Sequence, residues 1–286
     1  MKKVVLVLLV FTALSCSSSD SGNVIPTLPD ALSIDGVTVG IQNKGLTYCY
    51  DNYFEFVVSS TNPQRTVTIT FDKYGNFISA NIYKFDQYSE NYPYFSSHYF
   101  DFEMTPINLS EGKCVIDFSG TVYENKYDIN SAPITISGHF TLQSPLPAPG
   151  GEFLYHKTLY ANVDGKDWFS PNKITRSNDS GYYNCYYVCD DEYRLVFNVN
   201  GAITPTGLIN FTASTIHDCI KVEKFNIATL SYEPWDTQGS FIFTERYEPF
   251  QGGYYVDGSF SLTARNPLNP AEVVHFNDGV FKALDL

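Results

Sequence analysis

The chain has 286 residues, with 31 Asp and Glu against 18 Lys and Arg, and a formal charge of −13 at pH 7. Such acidity opposes contact with nucleic acid and with anionic lipid surfaces, and no Lys/Arg-rich tract offsets it, so a nucleic-acid partner is excluded. Tyr and Phe number 22 each while Met numbers 2. Together with abundant Thr, Val and Ile and scattered Gly, Asn and Pro, this predicts an all-β chain of strands joined by turns, long enough for two domains.

Lys2 and Lys3 precede an apolar run over residues 4–14. That is secretory-signal length and falls short of the roughly 20 residues of a spanning helix. The run ends at Ser15-Cys16, followed by Ser17, Ser18, Ser19 and Asp20. This segment resembles the lipoprotein signals of Bacteroidetes-type bacteria, with Ala13 where Leu is commoner. The resemblance implies a signal peptide over 1–15 and a Cys16 that becomes the lipidated, palmitate-bearing N-terminus. It also implies an outer-membrane location, on the periplasmic or the cell-surface face. The plainer alternative is an ordinary secretory signal with an incidental cysteine. Cleavage would remove Lys2 and Lys3 and take the charge from −13 to −15. Residues 16–30 are poor in groups to bury and predict a flexible tether spanning about 20 Å on average. At about 0.8 kcal/mol per buried CH₂, several acyl chains anchor the protein beside the membrane rather than across it.

The remainder reads as one plan written twice. Ile34-Asp35-Gly36 opens one unit and Val163-Asp164-Gly165 the other. We align ITISGHFTL (134–142) with YYVDGSFSL (254–262), and Gly120-Thr121-Val122 with Gly239-Ser240-Phe241. TVTITF (66–71) is an alternating strand with Val67, Ile69 and Phe71 inward, and RLVFNV (194–199) is its counterpart. EVVHFNDGVFKAL (272–284) reads as a hairpin about Asn277-Asp278-Gly279 that the first unit lacks. Three prolines and two glycines in residues 143–152 mark a linker. The expected layout is a β-domain over 31–142, the linker over 143–152 and a β-domain over 153–286, each an antiparallel sandwich or barrel-like module. The second unit, from ANVDGKDW to FNDGVFKAL, resembles an uncharacterised β-rich domain family of Bacteroidetes lipoproteins. That resemblance implies a fold and no chemistry.

Cys49, Cys114, Cys185, Cys189 and Cys219 are disulfide candidates in an exported chain. Residues four apart on a strand lie about 13 Å from each other, so Cys185 and Cys189 bond directly only if the chain turns back between them. A bridge from one of them to Cys219 is the leading expectation. A zinc set of Cys185, Cys189, His217 and Cys219 and buried thiols are the alternatives. The zinc set lacks the spacing of a recognised knuckle, so no metal and no cofactor is predicted.

No HExxH, GxSxG, P-loop or GxGxxG occurs. His139 and His275 fall at outward strand positions, and His217-Asp218-Cys219 sets a possible base near a thiol, with a Cys/His dyad the less favoured reading. Asp101/Glu103 and Asp190/Asp191/Glu192 are acid/base or calcium candidates, with solvated acidic turns the simpler account. Residues 82–102 carry nine aromatics. Tyr88, Tyr92, Tyr94 and Tyr99, with Tyr254 and Tyr255, are candidate ligand-binding residues, because a tyrosine suits sugar stacking and protein interfaces alike. The expectation is a non-enzymatic, lipid-anchored binding or scaffolding protein, its candidate partner a glycan or another envelope protein. A glycan-binding accessory protein of a polysaccharide uptake system and an envelope hydrolase with a carboxylate pair are the alternatives.

Overall fold

The computed structural model describes residues 28–49, 53–72, 75–84, 87–108, 113–143, 158–170, 172–179, 181–188, 192–200, 207–250 and 253–285. The signal segment, Cys16, most of the tether and linker residues 144–152 lie outside them. The first sheet contains β1 (Ala31–Ile34), β2 (Val37–Thr38), β3 (Ile41–Cys49), β4 (Tyr53–Thr61) and β5 (Gln64–Asp72). It continues with β6 (Phe77–Lys84), β7 (Gln87–Asn91), β8 (Phe100–Asn108), β9 (Lys113–Tyr123) and β10 (Pro133–Gln143). The second contains β11 (Thr158–Val163), β12 (Lys166–Phe169), β13 (Asn172–Asp179), β14 (Tyr182–Val188) and β15 (Tyr193–Asn200). It ends with β16 (Ile209–Phe211), β17 (Cys219–Asn226), β18 (Ser231–Phe250), β19 (Gly253–Arg265) and β20 (Val273–Asp285).

Each antiparallel sheet curls into a half-barrel around its own apolar cluster. The first runs β2-β1-β10-β9-β7-β6-β5-β4-β3 with β8 on β9. The second runs β12-β11-β20-β19-β18-β17-β15-β14-β13 with β16 on β18. Strand for strand the orders match, with β7 and β8 together in the place of the single long β18. The alternation read from the sequence places Val67, Ile69 and Phe71 fully inside. β15 is the counterpart of β5, as expected.

The Asp-Gly pairs do in both halves what their chemistry allows. Asp35 (φ 51°) and Gly36 (φ 74°) close β1 onto β2, and Asp164 (φ 48°) and Gly165 (φ 88°) close β11 onto β12. Two successive positive φ angles are the type I′ turn that suits the strand twist. Each aspartate then ties its turn to the last strand of its sheet. Thr135 N donates to Asp35 Oδ1 at 3.0 Å, and His275 N donates to Asp164 Oδ1 at 3.2 Å.

Those matched ties correct the expected alignment by one strand. β10 corresponds to β20, so residues 134–142 align with the C-terminal segment and not with 254–262, which belongs to β19. The expected hairpin over 272–284 is one continuous central strand, paired with β11 on one side and β19 on the other. Asn277-Asp278-Gly279 forms a bulge in it: Phe260 faces Gly279 and Leu262 faces Phe276, leaving an extra residue between. Asp278 takes φ 51°, and a Cβ at Gly279 would sit 2.6 Å from the Phe260 ring. A bulge absorbs the same positive φ that a turn would use.

The expected tether reaches one residue too far. Asp30 Oδ1 accepts from Thr141 N at 3.0 Å, and its other oxygen pairs with Lys44, whose Nζ also donates to the Thr141 carbonyl at 2.8 Å. Asp30 thus belongs to the first half-barrel and latches β3 to β10.

Candidate functional site

The structure divides the candidate tyrosines. Tyr92, Tyr94 and Tyr99 come together in the segment between β7 and β8, with Tyr92 only 3% exposed. Burial pushes the Tyr92 and Tyr99 phenols above their ordinary range. Tyr92 packs against Phe225 and Tyr94 against Tyr232, both in the second half-barrel, so these two rings are engaged in packing. Tyr88 stands apart on β7, half-exposed and opposite Tyr83. Tyr255 lies on β19 opposite Tyr247, far along the chain from the others, and the Tyr254 side chain is outside the described residues.

The structure separates two of the candidate cysteines. Cys114, Cys185 and Cys219 are buried. β15 separates β14, which carries Cys185, from β17, which carries Cys219. Two strand spacings amount to about 9–10 Å, beyond the roughly 7 Å that a disulfide tolerates. The Cys49 side chain and Cys189 lie outside the described residues. Cys114 sits where burial pushes its thiol up to about 11. His217 is exposed, stacked at 3.9 Å on Tyr182, and among the described residues no His/Cys/Asp/Glu group has the arrangement of a metal site.

The feature that pattern reading undervalued lies on the outward face of the first sheet. There a cleft of about 650 Å³ is lined by β1, β2, β8, β9 and β10. Register assembles it. Glu103 faces Asp117, which faces His139, which faces Ala31; in the next row Asp101 faces Ser119, Ser137 and Ser33 in turn. Residues directly opposite on neighbouring strands have Cβ atoms about 4.5–5.5 Å apart, so Glu103 and Asp117 share one patch of solvent. Asp101, Glu103 and Asp117 are exposed and His139 is half-buried. His139 Nδ1 donates to Asp117 Oδ1 at 2.7 Å, which leaves Nε2 buried and without a hydrogen bond. Neither Ser119, Ser137 nor Ser33 meets that nitrogen, so no Ser-His-Asp relay is assembled.

The second sheet offers a control at the same positions. The row Glu103–Asp117–His139–Ala31 corresponds to Ile242–Ser259–Val280–Tyr160. Charge gives way to apolar and hydroxyl groups, and the small Ala31 gives way to a tyrosine whose hydroxyl donates to Asp167 at 2.7 Å. No protein-family model, curated protein or solved structure matches the chain.

Proposed function

We propose that the chain is a lipid-anchored envelope protein with a non-catalytic binding role, and that its ligand occupies the outward cleft of the first half-barrel. One observation carries this reading. The row Glu103–Asp117–His139 stands where the matching sheet uses Ile242, Ser259 and Val280, so the fold itself does not need those charges. Three carboxylates and no lysine or arginine line the cleft, which selects a cationic ligand. The hydroxyls of Ser33, Thr38, Ser119 and Ser137 add hydrogen bonds. An amine-bearing glycan combines both requirements.

The cleft also opens where the proposed tether ends. Ala31, Leu32 and Ser33 line it, immediately after the Asp30 latch. With Cys16 lipidated, a tether of about 20 Å would keep the cleft close to the membrane surface. Two experiments test the reading. Metabolic labelling with palmitate should mark the wild-type chain and not Cys16→Ala. Calorimetric titration with a glucosamine tetramer should give saturable, salt-sensitive binding that its fully N-acetylated analogue lacks. No binding, or equal binding of both sugars, would refute the cleft assignment.

The Glu103–Asp117 pair favours a second reading, glycoside hydrolysis, because two facing carboxylates are that reaction's minimum. Both groups are exposed, however, whereas the acid of such a pair needs an apolar surround. Release of reducing ends by wild type and not by Glu103→Gln would replace binding with hydrolysis.

A further inference from the structure

The segment between β7 and β8 has no equivalent in the second sheet, where β18 runs unbroken through the same place. β7 and β8 both pair with β9, Asn91 opposite Val122 and Phe100 opposite Gly120. Residues 92–99 therefore leave the sheet and return within two positions of register. Gly120 makes the return feasible: a Cβ there would lie 2.4 Å from the Phe100 ring and 2.7 Å from the Tyr99 carbonyl.

The excursion ends on the other half-barrel. Tyr92 and Phe95 lie 6.0 and 5.7 Å, centroid to centroid, from Phe225 of β17, and Tyr94 lies 5.7 Å from Tyr232 of β18. The Tyr92 hydroxyl donates to the Leu230 carbonyl at 3.5 Å. Ile129, from the turn between β9 and β10, packs against the same cluster. Tyr232 is in turn held under the Arg194 guanidinium at 4.2 Å, and Arg194 pairs with Glu223.

Backbone strain points to the same spot. Among the described residues, seven non-glycines have positive φ: four aspartates, Ala283, Phe95 (φ 46°) and Leu230 (φ 51°). Aspartate tolerates that region, but for a bulky side chain it is costly and persists only where the surroundings over-determine it. The two bulky cases belong to this one aromatic cluster, on its opposite sides.

We infer that residues 92–99 are an interdomain clasp, an aromatic insertion whose role is to join the two half-barrels into one cooperative body. The inference is independent of the cleft and its ligand. Hydrogen exchange on the full chain tests it by altering one half and reading the other. Phe225→Ala, in the second half-barrel, should speed exchange about tenfold or more at amides 92–99 and at Thr121 N, which donates to the Tyr99 carbonyl at 3.2 Å. Tyr94→Ala, half-buried and so less disruptive than a change at Tyr92, should speed exchange across 225–232 in the same way. Should either chain fail to fold, the other decides. Exchange unchanged across the boundary in both variants, or accelerated only within the altered half, would overturn the clasp.

Discussion

The two half-barrels share a strand order, a turn chemistry and an aspartate tie, yet differ in what they attach to that frame. The first carries three carboxylates and a histidine on its outward face and throws out an aromatic loop. The second keeps the matching row uncharged, has Tyr160 where the first has Ala31 and runs β18 unbroken. The lesson is that the frame fixes the inward residues of both copies, while outward positions and one strand interruption were free to diverge. Function is to be sought in those divergent positions.

The largest effects should be those the copies share. Phe140 and Phe281 occupy matching positions on β10 and β20, facing Ile116 and Gly258, and both are fully buried. Replacing either with alanine should cost about 3–5 kcal/mol in urea unfolding. A cost below 1 kcal/mol at one site would break the equivalence of the two cores.

A smaller effect is expected where the two sheets exchange a large residue for a small one. In the first sheet Phe100 faces Gly120, and in the second Gly239 faces Leu262, so a large–small pair is kept with its sides exchanged. Gly120→Leu should cost about 1–3 kcal/mol by overpacking against Phe100. Adding Phe100→Gly removes the ring but not the backbone contacts, so it should recover part of that loss, and a purely additive double variant would contradict the exchanged-pair reading.

The smallest effect separates Cys114 from a surface thiol. Burial raises its folded-state value to about 11 from an ordinary 9.0. The contribution to stability is therefore complete below pH 9 and is lost as pH rises toward 11. Native protein should resist alkylation at Cys114 at pH 8. Cys114→Ala should show a shallower fall in stability between pH 9 and 11 than wild type, and identical slopes would dismiss the effect.

The all-β class, the twofold plan and the inward alternation of β5 were legible because strand periodicity and Asp-Gly turns are local signals. The strand-by-strand alignment was not. The glycine of the large–small pair changes strands between copies, so Gly120 and Gly239 match as letters but lie on β9 and β18. Asn277-Asp278-Gly279 has the chemistry of a turn, and only pairing on both sides of β20 makes it a bulge. The cleft hid for a related reason. Asp101/Glu103 were visible as a carboxylate pair and His139 as an outward residue, while nothing local marked Asp117. Their meeting depends on β8, β9 and β10 lying side by side in one register, which one strand's pattern does not encode. The tyrosines of 92–99 were conspicuous as aromatics, but the Phe225 surface that covers them lies more than a hundred residues away.

We propose that the first half-barrel's outward row serves binding and not folding. Converting that row to its counterpart, with Glu103→Ile, Asp117→Ser and His139→Val together, tests it in a single protein. The triple variant should keep unfolding stability within about 0.5 kcal/mol of wild type, as for substitutions outside the core, and lose glucosamine-tetramer binding in calorimetry. Retained binding, or collapse of the fold, would contradict it.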